Sequence, residues 1–98
     1  MGRLGDIFFA LSNPNRIKIY DLVLKKRMNI TQISEAIPMS YKSTLHNLDV
    51  LEKAELIKKT KEVTSKAQET FIEGIPLKEE TVYYDVYKKI KQDEFENK

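Results

Sequence analysis

Apolar residues recur along this chain with two periods. Leu4, Ile7, Phe8 and Leu11 stand at i, i+3, i+4 and i+7, the spacing of one buried helix face. Phe9 falls roughly 100° beyond that face at 3.6 residues per turn, which gives a short first helix a second apolar patch. Asn13 and Pro14 predict an N-cap and a first helical position, opening a second helix to about Lys26. Its Ile17, Ile19, Tyr20, Leu22, Val23 and Leu24 cover well over half its circumference, as in a central helix buried on most sides. Lys25, Lys26 and Arg27 end it, favourably placed against the helix dipole.

A third, short helix starts at Asn29-Ile30-Thr31, with Thr31 as its cap and Ile33, Ala36 and Ile37 facing inward. Pro38 stops it. After the turn Pro38-Met39-Ser40, Ser40 caps a fourth helix that runs to Lys53 or Ala54. Thr44, Leu48 and Leu51 share its inner face, flanked by Leu45, and Lys42, His46, Asp49 and Lys53 form the opposite stripe. Beyond Leu56 the period becomes that of a strand. Lys58–Val63 and Gln68–Ile75 bracket the polar link Thr64-Ser65-Lys66-Ala67 and predict a β-hairpin, ended by Gly74 and Pro76. A final helix, from Leu77 or Glu79 to about Phe95, carries the stripe Val82, Tyr83, Val86, Tyr87 and Ile90.

Two helices joined by a tight turn, with a basic hairpin behind them, are the order of a winged helix-turn-helix. The fold class expected is α+β and mainly helical. About five helices and a two-stranded β-hairpin wing form one domain over residues 1–98.

Composition narrows the function. With no Cys, disulfides, thiolate catalysis and cysteine-ligated metal are excluded. No apolar run approaches the roughly 20 residues of a membrane span, and Asp6 interrupts any signal-peptide pattern. A cytoplasmic location is expected. Residues 1–66 carry 12 Lys/Arg against 7 Asp/Glu, and residues 67–98 carry 5 against 8. A basic first two-thirds is the asymmetry expected of a surface that faces a polyanion.

Candidate chemistry is sparse. The single His, His46, lies on a polar helix stripe with Asp49 as its one nearby carboxylate, weak ground for acid–base catalysis. No phosphate loop, nucleophile elbow or metal-ligand spacing is present. Neither a cofactor nor an enzymatic activity is expected. The positive signal is the start of the fourth helix. Ser40, Tyr41, Lys42 and Ser43 combine free backbone N–H groups, a positive dipole end, a cation and hydroxyls, suited to phosphate and base edges. His46 and Asn47 extend this set along the helix. Asp49 opposes it unless it pairs with Lys53 or accepts from a cytosine amino group. Lys58, Lys59, Lys61 and Lys66 on the hairpin supply a second basic element, suited to the duplex backbone or minor groove. The alternative is a winged-helix module for protein–protein interaction without specific DNA binding.

The run Phe9-Ala10-Leu11-Ser12-Asn13-Pro14-Asn15-Arg16-Ile17-Lys18-Ile19 resembles the A-L-S-[DN]-P-T-R-x-x-I-L opening of ArsR-type winged helix-turn-helix regulators. Ser40 through Leu48, then Val50-Leu51-Glu52-Lys53-Ala54-Glu55-Leu56-Ile57, is similar to that family's recognition helix and its exit into the wing. The resemblance spans roughly residues 7–75. It implies a homodimeric transcriptional regulator, a repressor that reads a pseudo-palindromic operator in duplex DNA. It also implies that residues 1–11 and 78–96 are dimerisation helices. Leu4, Phe8, Phe9, Val82, Tyr83, Val86, Tyr87 and Ile90 are then interface residues. The chain departs from the family's pattern in four ways, the first being a wing that is longer than usual and lacks a tip Gly. Pro38 stands where the family turn has Gly, and Pro cannot take positive φ. Glu55 replaces the Gly that usually ends the recognition helix, which makes a left-handed cap more costly. The family's metal-sensing Cys and His residues are absent, so metal sensing is not expected and no effector is implied.

Overall fold

The structure, a computed structural model, describes residues 3–77 and 87–93. Its elements follow in the order α1 (Arg3–Ala10), α2 (Pro14–Lys25), β1 (Met28–Asn29), α3 (Ile30–Ala36), α4 (Tyr41–Lys53), β2 (Ile57–Val63) and β3 (Gln68–Gly74). Residues 87–93 are helical as well.

Local side chains set the helix boundaries. Asn13 Oδ1 accepts from the backbone N–H groups of Asn15 at 2.9 Å and Arg16 at 3.2 Å, and Pro14 follows where a missing N–H costs nothing. The cap of α3 is Asn29, not Thr31. Asn29 Oδ1 accepts from Gln32 N at 2.8 Å while Asn29 N donates to Gln32 Oε1 at 2.9 Å, a reciprocal capping box. Asn29 ends β1 and so already has the extended backbone a cap needs, which leaves Thr31 inside the first turn. Ser40 caps α4 as expected, accepting from Ser43 N at 3.0 Å, and Thr44 Oγ1 donates back to the Ser40 carbonyl at 3.0 Å.

The hairpin lies within a residue of its expected limits, but the sheet has three strands. Its antiparallel order is β1-β3-β2, with Met28 opposite Ile72 and Asn29 opposite Phe71. A two-residue strand is too short to show a period, so it is invisible in the hydropathy pattern. At the wing tip, Thr64 Oγ1 accepts from Ala67 N at 3.1 Å and Thr64 N donates to the Ala67 carbonyl at 2.8 Å. These bonds close the link without a glycine.

The departures at Pro38 and Glu55 resolve differently. Among the described residues only Glu55 has a positive φ, 60°, so the turn through Pro38 needs no left-handed residue. The end of α4 does. Glu55 N donates to the Glu52 carbonyl at 2.9 Å and Leu56 N to the Leu51 carbonyl at 3.0 Å. This is the Schellman arrangement, made with Glu in the position that favours Gly.

The core gathers around α2. Ile17, Ile19, Tyr20 and Val23 are buried, with Leu22 and Leu24 partly buried beside them. β3 presses against this helix so closely that a Cβ on Gly74 would lie 2.8 Å from the Leu24 backbone N. In α1 the buried face is Ile7, Ala10 and Leu11, whereas Leu4 and Phe8, expected on that face, remain about two-fifths exposed. In α3, Ile33 and Ile37 point inward but Ala36 is exposed.

The helical segment 87–93 docks on α2. Tyr87 meets Tyr20 edge-on at 5.1 Å between ring centroids, and Tyr20 Oη donates to the Ile75 carbonyl at 2.7 Å. Lys91 pairs with Asp21, which also holds Lys25 at 3.2 Å. Burial opposes ionisation of Asp21. Hydrogen bonds and charge from Lys91 and Lys25 outweigh it and hold the carboxyl below the usual carboxylate range. Tyr87, expected at a dimer interface, is therefore a core residue of its own protomer, only 7% exposed. Its ring is used by Tyr20. Ile90 packs partly buried against the same core. Val82, Tyr83 and Val86 lie outside the described residues.

Candidate nucleic-acid interface

The cap and turn deliver α4 with its start and its outer stripe facing solvent. Ser40, Tyr41, Lys42, Ser43 and His46 are all exposed, Tyr41 by 57%. The first-turn N–H groups, the Lys42 ammonium and the Tyr41 phenol thus lie together at one helix end. Tyr41 stands across a recess of about 140 Å³ from Gln68, Glu69 and Thr70 of β3, with Asn29, Ile30 and Thr31 also on its wall. The start of α4 and the middle of the wing are therefore neighbours, brought together from residues almost thirty positions apart.

Asn47 is not part of this surface. It is 7% exposed and points inward. Its Oδ1 accepts from Arg16 Nη1 at 3.1 Å, and its Nδ2 lies 3.4 Å from the Met39 sulfur. Helical spacing places residue 47 with Thr44, Leu48 and Leu51, all buried. Its amide belongs to the interior because it has a buried partner there.

That partner, Arg16, is the residue that hydropathy missed. It is 6% exposed. Its Nε donates to the Ala10 carbonyl at 2.8 Å and its Nη2 to the Phe9 carbonyl at 3.0 Å. The guanidinium also lies 5.1 Å from the Phe9 ring centroid. A buried cation thus closes the C-terminal end of α1, where the helix dipole is negative, and ties it to α4. Desolvation lowers its pKa from the ordinary guanidinium value. The only sequence signal for this role was its place in the family-like opening motif.

The wing lysines divide. Lys58, Lys61 and Lys66 are exposed. Lys59 is not available in the same way, because Nζ pairs with Asp49 at 2.5 Å and Glu52 at 3.4 Å. Burial would lower the Lys59 pKa, but the hydrogen bond to Asp49 and the charges of Glu52 and Asp49 raise it above the usual lysine value. The partner of Asp49 is therefore Lys59 of the wing rather than Lys53. The pair braces the wing against α4 and neutralises the carboxylate on the outer stripe. Behind the hairpin, Arg27 lies 4.0 Å over the Phe71 ring and pairs with Glu62, and with Glu73 at 3.3 Å.

On α1, Leu4, Phe8 and Phe9 leave an apolar surface, Phe9 being 55% exposed. Among the described residues no three His, Cys, Asp or Glu side chains are placed to hold a metal ion. No described helix is long and apolar enough to cross a membrane.

Helix, turn, helix and braced hairpin define a winged helix-turn-helix domain. Residues 13–59 match the model of the family described as bacterial regulatory protein, arsR family. Over that stretch, just under half of its length, the chain is similar to the helix-turn-helix domain of that family. Among curated proteins none matches the chain. Among solved structures, one similar fold is a homodimeric winged helix-turn-helix DNA-binding domain from Mycobacterium bovis, a possible ArsR-family transcriptional regulator. It has a TM-score of 0.70 and 18% identity, over 96% of this chain and 80% of that one. HlyU from Vibrio cholerae superposes with a TM-score of 0.68 at 17% identity, over 92% and 86% of the two chains. A transcriptional regulator homologue from Pyrococcus horikoshii gives 0.67 at 21% identity, over 94% and 89%. At these identities the likeness is one of fold.

Proposed function

We propose that the protein is a homodimeric transcriptional regulator that binds duplex DNA by laying α4 in the major groove. The observation that carries this reading is the outer stripe of α4. Its first turn offers Tyr41, Lys42 and Ser43 to solvent, and its one acidic residue before the last turn, Asp49, is neutralised by Lys59. A helix N-terminus with an adjacent cation suits both phosphate and guanine acceptors. Ser40, His46, Lys61 and Lys66 extend the contact, and Asn47 is removed from it by its burial.

Dimerisation is supported by the exposed Leu4, Phe8 and Phe9 on α1 and by the homodimeric state of the Mycobacterium bovis domain. A two-fold pair of reading heads requires a pseudo-palindromic operator with half-sites about one helical turn, roughly 34 Å, apart. Occupying such a site at a promoter represses transcription by exclusion.

Selection of duplexes from a random pool tests the reading, and a pseudo-palindromic consensus is expected. Recovery of no consensus, together with retention that is insensitive to salt, would point to a protein–protein adaptor and sink the proposal.

A further inference from the structure

In an antiparallel ladder, opposed residues project from one face and successive residues alternate between faces. The β2–β3 register therefore divides the wing. Lys59, Lys61 and Val63 share one face with Ile72, Thr70 and Gln68. Lys58, Thr60 and Glu62 share the other with Glu73, Phe71 and Glu69.

Two contacts orient these faces. Ile72 is fully buried and Lys59 pairs with Asp49 and Glu52 of α4, so the first face looks toward the helices. Arg27 covers Phe71 and pairs with Glu62 and Glu73, so the second is the outer face. The carboxylates sort with them. Glu62, Glu69 and Glu73 are the acidic residues of the hairpin, and by register all three belong to the outer face. The helix-side face has none. Beyond the braced Lys59 it continues with Lys61, and its Gln68 and Thr70 line the recess that Tyr41 also lines, together with Glu69 of the other face. The face free of carboxylates is thus the one continuous with the start of α4.

From this sorting we infer that the wing meets DNA with its helix-side face. Lys61 is its phosphate contact on the strand. Lys58, on the outer face opposite Glu73, makes none. The inference rests on the DNA-binding reading above and sharpens it. On the outer face a phosphate would meet the carboxylates Glu62, Glu69 and Glu73, which Arg27 and Lys58 only partly offset. On the helix-side face the hairpin's own residues are cationic or neutral, and the α4 carboxylates Asp49 and Glu52 are paired with Lys59.

The test measures the salt dependence of binding to a mixed-sequence duplex by fluorescence anisotropy, for the wild type, Lys61→Ala and Lys58→Ala. Lys61→Ala should lower the log–log slope by about 0.9 per bound protomer, about 1.8 for a dimer, the loss of one phosphate contact from each, and Lys58→Ala should leave it unchanged. A second pair places a charge on adjacent rungs. Thr70→Glu on the helix-side face should weaken binding, and Thr60→Glu on the outer face should not. Circular dichroism confirms that each variant is folded. If Lys58→Ala lowers the slope as much as Lys61→Ala, or Thr60→Glu weakens binding as much as Thr70→Glu, the face assignment is overturned while DNA binding stands. If the wild type shows no salt-sensitive binding to any duplex, both readings are overturned.

Discussion

Replacing Arg16 by Met keeps most of the side chain's length and removes its donors, which isolates the work of the guanidinium. The wild-type side chain donates to Ala10 O, Phe9 O and Asn47 Oδ1. The Phe9 carbonyl keeps other partners, Ser12 N at 3.2 Å and Ser12 Oγ at 2.7 Å. The variant therefore leaves two groups, the Ala10 carbonyl and the Asn47 amide oxygen, without this donor. A buried acceptor left unsatisfied costs about 1–3 kcal/mol, so the pair costs about 2–6 kcal/mol. Relief from burying a cation offsets part of this, and a net loss of about 3 kcal/mol is expected. Urea unfolding at fixed protomer concentration measures it. With a slope of about 2 kcal/mol/M, the midpoint should fall by about 1.5 M. The companion variant Asn47→Leu, and the double variant, complete a cycle. Removing both partners should cost clearly less than the sum of the single losses, because the Asn47 acceptor is then no longer stranded. A stability within about 0.5 kcal/mol of the wild type for Arg16→Met, the level of an ordinary surface change, would refute the reasoning. Fully additive losses would show that the two side chains are not coupled.

Glu55→Gly should raise stability by about 0.5–1 kcal/mol. A left-handed non-glycine residue costs about 1–2 kcal/mol, and the extra freedom of Gly in the unfolded chain returns part of that. Thermal unfolding should show a midpoint a few degrees higher, and a lower one would contradict the cost assigned to φ 60°. Gly74→Ala should lower stability by about 1–3 kcal/mol, because its Cβ meets the Leu24 backbone rather than a side chain that can swing away. An unchanged denaturation midpoint would show that β3 and α2 separate freely. The depressed pKa of Asp21 implies stability that is complete above the unfolded-state value of about 3.9 and lost as pH falls through the lower folded-state value. Asp21→Asn should therefore be destabilised near neutral pH and converge on the wild type in acid, which denaturation across pH would reveal. A constant gap would contradict the linkage.

Most helix limits and the hairpin were legible in the chain because they depend on nearest neighbours. Asn13 before Pro14, Ser40 after Pro38, and the change from a 3.6 to a 2 period after Leu56 act within a few residues. The outer stripe of α4 was legible for the same reason, since helical spacing alone puts Lys42, His46 and Asp49 opposite Thr44, Leu48 and Leu51. What tertiary structure decided concerns polar and apolar groups whose partners are remote in sequence. Asn47 turns inward because Arg16, thirty-one positions earlier, offers it a buried donor. Lys59 keeps its charge but commits it to Asp49 and Glu52 because the wing folds back on α4. Tyr87 leaves the interface set because Tyr20 and the core receive its ring. Met28 and Asn29 become a strand only because β3 lies beside them. Local pattern determines which face of an element is apolar, since period and burial are coupled within one turn or one pleat. The use of a charged or amphipathic side chain depends on which opposite group the fold brings within hydrogen-bonding distance, and that distance exists only once the chain has folded.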